Sequence, residues 1–181
     1  MIKMTVLALV TIFLFPSGMV ATMFAQNSAQ NAIAPGCGPA HARFNVRTET
    51  GPHPAQPEAG KALVYFIQDD SDFNSRPRPT SRMGVDGAWV GATKSNSYFY
   101  FSVDPGVHHI CAGWQMTEGE PTNHNTAAAH FTAEANGVYY FEAKDTLGYG
   151  GSASIDLKPL DSDEGQLLVD QLSFSISQPK K

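Results

Sequence analysis

Two histidines and a cysteine crowd one short stretch, VHHICAGW, at residues 107–114. Imidazole and thiolate are the ligands a zinc site uses, and a histidine near a cysteine can also serve as base to a nucleophile. On an extended strand, however, consecutive side chains point to opposite faces, so His108 and His109 cannot grip one ion together. His109 and Cys111 do share a face, and His130 could approach them from a neighbouring strand. Such a His/Cys cluster needs Cys111 as a free thiol, which leaves Cys37, the other of the two cysteines, without a partner. The aromatic residues offer a second kind of chemistry. Trp89, Tyr98, Tyr100 and Trp114 could form a platform on which a sugar or an aromatic side chain stacks, with His108, His109 and His130 as accessories. Packing inside the fold is the competing use of the same rings, and no residue is assigned to catalysis, a cofactor or a metal.

Which use the cysteines serve depends on the compartment. Lys3 precedes MTVLALVTIFLF at 4–15, an apolar run too short to cross a bilayer as a helix, and Pro16, Ser17 and Gly18 then break it. With small residues at Ala21 and Ala25, residues 1–25 read as a signal peptide cleaved before Gln26, a retained anchor being the rival reading. No cysteine directly follows the run, so lipid attachment is not expected. Export to the periplasm or the exterior would place Cys37 and Cys111 where a disulfide between them is the ordinary outcome.

Other chemistries find weaker footing. The chain has 181 residues and a net charge of −5, and cutting after Ala25 removes only Lys3, giving −6. Without a basic run beyond Lys180 and Lys181, nucleic acid binding has no electrostatic support. No basic amphipathic segment is present to hold the mature chain on a membrane. Asp70, Asp72 and Asn74 match the opening of a calcium loop, but Ser75 and Ser81 stand where its glycine and its last glutamate belong. GYGGSA at 148–153 has the letters of a dinucleotide fingerprint, yet strand-like SASIDL follows where a helix is required. There is no G-x-S-x-G elbow.

The elements that must position these residues are mostly strands. Residues 26–60 are rich in Gln, Pro and Gly and form a lead-in with one strand at 42–48, ending in the extended linker GPHPAQPEAG, whose His53 is expected in solvent. KALVYFIQ at 61–68 is apolar on both parities and predicts a central strand covered on both faces. Asp86-Gly87 predicts a type I′ hairpin that pairs RMGVD at 82–86 with AWVGAT at 88–93. SYFYFSV alternates, turning Phe99, Phe101 and Val103 to the core and Tyr98 and Tyr100 to the wetter face. Pro105-Gly106 suits a type II turn that returns the chain as VHHICAGWQ, and Asn136-Gly137 predicts a hairpin between AAAHFTAE and VYYFEAK. Asp161 and Glu164 have the spacing of an N-cap and its N3 partner, predicting a short helix over 161–171 that Gly165 weakens. A last strand is expected at 172–177, before a disordered tail at 178–181.

KALVYFIQ, GVDGAWVGATKSNSYFYFSVDPGVHHICA and VYYFEAK together resemble a bacterial family called domain of unknown function 2846, and their V-D-G, Y-F-Y-F and P-G-x-H-x-I elements also resemble the PEGA type of surface β-domain. The similarity covers about residues 61–168. It implies an exported, all-β, antiparallel β-sandwich of transthyretin-like or immunoglobulin-like topology, and it brings no established activity or catalytic residues to transfer. Many relatives are expected to be lipoproteins, and this chain departs from that pattern by lacking a lipobox. The resulting expectation is a β-sandwich domain over 61–177, non-catalytic, binding an envelope protein or a glycan or serving structurally. A small secreted metal protein or enzyme using the His/Cys cluster is the alternative.

Overall fold

A computed structural model describes residues 37–73, 77–115, 126–147 and 153–181. The expected signal peptide, Asn74 of the calcium-like pattern, the loop at 117–125 and the glycines of GYGG lie outside the described residues. Those described form ten strands and one helix: β1 Phe44–Glu49, β2 Ala62–Asp69, β3 Thr80–Val85, β4 Ala88–Lys94, β5 Ser97–Val103, β6 Gly106–Trp114, β7 Thr126–Ala133, β8 Val138–Leu147, β9 Ala153–Leu160, α1 Ser162–Gln171 and β10 Ser173–Pro179. Two sheets stack as a β-sandwich, one with the strand order β1-β10-β5-β2-β8-β9 and the other β4-β3-β6-β7.

The alternation of side chains along each strand decides which residues fill the space between the sheets. Val64 and Phe66 of β2, Phe99 and Val103 of β5, and Phe141 and Ala143 of β8 meet Met83, Val85, Ile110 and Ala112 from the four-stranded sheet. β2 is central as its sequence predicts, and its other parity, Leu63, Tyr65 and Ile67, is buried as well. That second parity packs with Tyr98 and Tyr140 beneath α1 and Ala55. The six-stranded sheet therefore carries an extra layer on its outer face. Tyr98 is only 1% exposed, so the expectation that the β5 tyrosines take the wetter face is wrong: that face is covered.

The helix forms as its cap predicts. The Asp161 side chain accepts hydrogen bonds from the Asp163 and Glu164 backbone N–H groups, and both acidic residues sit in the first turn, where the helix dipole favours them. Gly165, a weak point for an isolated helix, is the residue that lets α1 lie on the sheet. A Cβ there would stand 2.2 Å from Cγ of Tyr140.

Strand pairing departs from the hairpin series read from the turns. The Asp86-Gly87 turn does join a ladder, β3 to β4, and both residues have positive φ (49° and 86°) as a type I′ turn requires. Pro105-Gly106 instead carries the chain from β5 in one sheet to β6 in the other. β5 already has β2 and β10 at its two edges, leaving none for β6. The Asn136-Gly137 hairpin is likewise corrected: β7 and β8 lie in different sheets, and β8 is flanked by β2 and β9. Of that pair only Asn136 has positive φ (62°), and its N–H donates to the Lys61 carbonyl at 2.8 Å while the Gly137 carbonyl accepts from Leu63. The turn is fastened to β2 and not to a ladder of its own.

The larger sheet is mixed, with β2–β8 and β10–β5 parallel. β10 runs beyond the expected strand to Pro179 and pairs with β1 over six residues, and the Lys180 N–H donates to the Arg43 carbonyl. The segment expected as a disordered tail is thus a sheet component through residue 179. The lead-in strand belongs to the same sheet.

Candidate functional site

The residues expected to form one aromatic platform are distributed over four places. Tyr98 and Tyr100 lie under the outer layer of the six-stranded sheet, around Phe174. Trp89 is on the outer face of the other sheet, where its Nε1 donates to the Pro39 carbonyl at 2.8 Å and the Arg82 guanidinium stands 4.3 Å over its ring. Trp114 points between the sheets. His108 sits at the sandwich rim, and His109 and His130 are exposed on the outer face of the four-stranded sheet. There is no common stacking surface.

Cys37 and Cys111 are joined in a disulfide, with Cα atoms 5.1 Å apart, as the sequence predicts. The His/Cys cluster is therefore overturned, because the Cys111 sulfur is not available as a thiolate. The bond instead holds residues 37–42 as a strap across the four-stranded sheet. Arg82, 4% exposed, reinforces it by donating to the Ala40 and Ala42 carbonyls at 2.7 and 2.8 Å. Burial lowers the Arg82 pKa to about 10, which leaves it charged at neutral pH. Gly38 is required here by space, since a Cβ would lie 2.5 Å from Cδ1 of Trp89.

At the rim, His108 Nδ1 lies 2.6 Å from Asp86 Oδ2, and Nε2 lies 2.7 Å from the Asp104 carbonyl. Both partners are acceptors, so the ring satisfies them only when doubly protonated. Burial is the largest single influence and opposes that charge, but the hydrogen bonds to Asp86 and the Asp104 carbonyl and the two carboxylate charges together outweigh it and raise the His108 pKa. Burial would also raise the Asp86 pKa, and hydrogen bonds from His108 and the His109 N–H outweigh it to give a lowered value. This ion pair joins the β3–β4 turn to the β5–β6 crossover.

Inside the sandwich, Asp145 is fully buried. Its Oδ1 accepts from Trp114 Nε1 at 2.6 Å, and its Oδ2 accepts from Gln68 Nε2 at 2.6 Å and from Ser81 Oγ at 3.3 Å. Burial pushes its pKa up to about 6 against the pull of these donors. Sequence reasoning missed this cluster, although its signal was present. Gln68, Ser81 and Asp145 fall on the inward parity of β2, β3 and β8: Gln68 and Asp145 end the inward apolar rows of their strands, and Ser81 begins that of β3.

The described residues also enclose a cavity of about 400 Å³ between residues 50–55 and α1, floored by Tyr65 and Tyr98 and edged by His53, Asp170 and Leu172. This size suits a ligand group or a side chain. His53 is not in open solvent as expected, because its ring stacks on Phe174 with centroids 4.4 Å apart and fixes the linker against β10. Ala55 packs on the same buried cluster as Tyr65 and Tyr98. Burial, then the neighbouring tyrosines, pushes Tyr65 up to about 12, so the floor stays uncharged. Tyr65 itself lies flat on Tyr140, centroids 4.9 Å apart, and the Tyr140 hydroxyl donates to Gln166 on α1. Among the lining residues are one carboxylate, Asp170, and neither lysine nor arginine. Such a groove can accept hydrogen bonds and a positive charge.

The family model described as Protein of unknown function (DUF2846) matches residues 58–153. The chain belongs to this family. Comparison with curated proteins and with solved structures gives no match. The DUF2846 segment spans β2 to β8 and so contains Tyr65, Tyr98, Cys111 and Asp145. Cys37, the strap, residues 50–55 and α1 lie outside it. The groove is thus a family floor walled by this chain's flanking segments.

Proposed function

We propose that this chain is an exported, non-catalytic β-sandwich module of the bacterial cell envelope that binds a protein partner through the groove between residues 50–55 and α1. The observation that carries the reading is the lining of that groove, with hydrogen-bonding edges, a neutral tyrosine floor and a single carboxylate at Asp170. A basic side chain on an extended partner segment fits this chemistry. A polypeptide is favoured over a glycan because the Tyr65 face is already stacked on Tyr140 and Tyr98 is packed against Phe174, leaving no open ring on which a sugar lies. Export is supported by the Cys37–Cys111 disulfide, which suits an oxidising compartment, and by the signal-like residues 1–25.

The test is a nuclear magnetic resonance titration of the exported chain with short lysine-containing, neutral and acidic peptides and with a panel of envelope sugars. Lysine-containing peptides are expected to shift the amides of His53, Ala55 and Asp170, and Asp170→Lys is expected to abolish the effect. Shifts produced there by sugars, or equally by acidic peptides, would overturn the reading.

A further inference from the structure

We infer that His109 and His130 form a two-histidine clamp for a borderline divalent transition-metal ion on the outer face of the four-stranded sheet. The two residues are direct cross-strand partners in the β6–β7 ladder. Both side chains are exposed, and their ring centroids are 6.3 Å apart. A metal–nitrogen bond of about 2.1 Å puts a ring centroid roughly 3.2 Å from the ion, so two rings on one ion have centroids roughly 4.5 to 6.4 Å apart. The observed spacing lies at the upper limit of that range, and side-chain rotation is needed to bring the rings to the shorter separation of a tetrahedral or right-angled pair.

The setting favours the clamp. β6 is hydrogen-bonded to β3 on one side and β7 on the other, and the Cys37–Cys111 bridge anchors it two residues from His109, so the backbone holding one ligand is fixed. Among the described residues no hydrogen bond occupies a ring nitrogen of His109 or His130, in contrast to His108, whose two nitrogens are both engaged. Asp86 Oδ1 accepts from the His109 N–H at 2.8 Å and so fixes the backbone that carries this ligand. No third ligating side chain among the described residues completes the set. Water must therefore fill the other positions, and binding is weaker than at a three- or four-ligand zinc site. Two imidazoles select nickel, copper or zinc over calcium or magnesium, which prefer oxygen. The clamp does not depend on the groove proposal and uses the opposite face.

The experiment is calorimetric titration of the oxidised, exported chain with Ni²⁺ and, separately, Ca²⁺, repeated with His109→Ala, His130→Ala, the double variant and His53→Ala. One equivalent of Ni²⁺ is expected to bind, with no Ca²⁺ binding. Each clamp variant is expected to lose about tenfold or more in affinity, the double variant to lose no more than a single one, and His53→Ala to match the parent. Absence of Ni²⁺ binding, or binding unchanged in either clamp variant, would overturn the clamp. Because both residues are exposed, the variants are expected to melt with the parent; electron paramagnetic resonance of bound Cu²⁺ in the unmodified chain gives a second readout, which must show two nitrogen ligands.

Discussion

The two outer faces of the sandwich are covered by different means. On the six-stranded sheet, α1 and residues 50–55 are held by tyrosine packing, the His53–Phe174 stack and the hydrogen bond from the Tyr140 hydroxyl to Gln166, and a cavity is left beneath them. On the four-stranded sheet, residues 37–42 are held by a covalent bond and a buried guanidinium, with the His109–His130 end left bare. A cover made of many weak contacts can yield locally to admit a ligand, whereas a cover pinned at one covalent point stays closed until that point is cut. The proposed groove therefore lies under the cover that can yield, and the proposed clamp lies on the face whose cover is pinned.

The largest expected effect comes from cutting the pin. The disulfide closes a loop of sequence separation 74, and its loss is expected to cost about 4 kcal/mol in the chain-entropy account. Cys37→Ser/Cys111→Ser, followed by urea denaturation, should show that loss while groove binding at 50–55 persists in the folded protein. If the groove fails together with the strap, the two faces are not independent.

Next in size is a change in the layer both faces share. Asp145 has a folded pKa of about 6 against an ordinary 3.8. The folded state therefore holds this proton more tightly than the unfolded chain, so the stability it contributes is full below pH 3.8 and lost as pH rises through about 6. The ionised carboxylate costs roughly 3 kcal/mol relative to that limit. Asp145→Asn keeps an oxygen for Trp114 Nε1 and is expected to remove this slope, read as the difference in unfolding free energy between variant and parent from pH 4 to pH 7. A difference that does not change with pH would refute the assignment.

A smaller effect should be confined to the adaptable face. Gly165→Ala places a methyl group against Tyr140 and is expected to cost about 2 kcal/mol by overpacking while shifting α1 and the groove. The amides of residues 37–43 should not move. Smallest of all, His53→Ala removes one ring stack and is expected to cost about 1 kcal/mol or less, with weaker groove binding as its main consequence.

Much of this arrangement was legible in the sequence. The double-parity apolar run of β2, the Asp86-Gly87 hairpin, the Asp161 cap and the cysteine pairing each follow from local chemistry, because alternation, positive φ and redox setting are decided within a few residues. Which strand pairs with which was not. Pro105-Gly106 and Asn136-Gly137 specify a reversal, but the choice between ladder and crossover depends on which edges β5 and β8 have free, and those are taken by β10 and β2 for β5 and by β2 and β9 for β8. The platform failed for a related reason: Trp89, Tyr98 and Trp114 are near one another in sequence, yet the crossovers send them to different layers. The groove was hidden because its walls, a proline-rich linker and a helix weakened by Gly165, read separately as solvent-exposed and marginal.

The most direct test of independently held covers is amide hydrogen exchange on the oxidised and the reduced chain. Reduction is predicted to speed exchange at Ala42 and Phe44, beside the strap, and to leave His53 and Ala55, beside the groove, at their oxidised rates. Acceleration of both sets together would contradict the account.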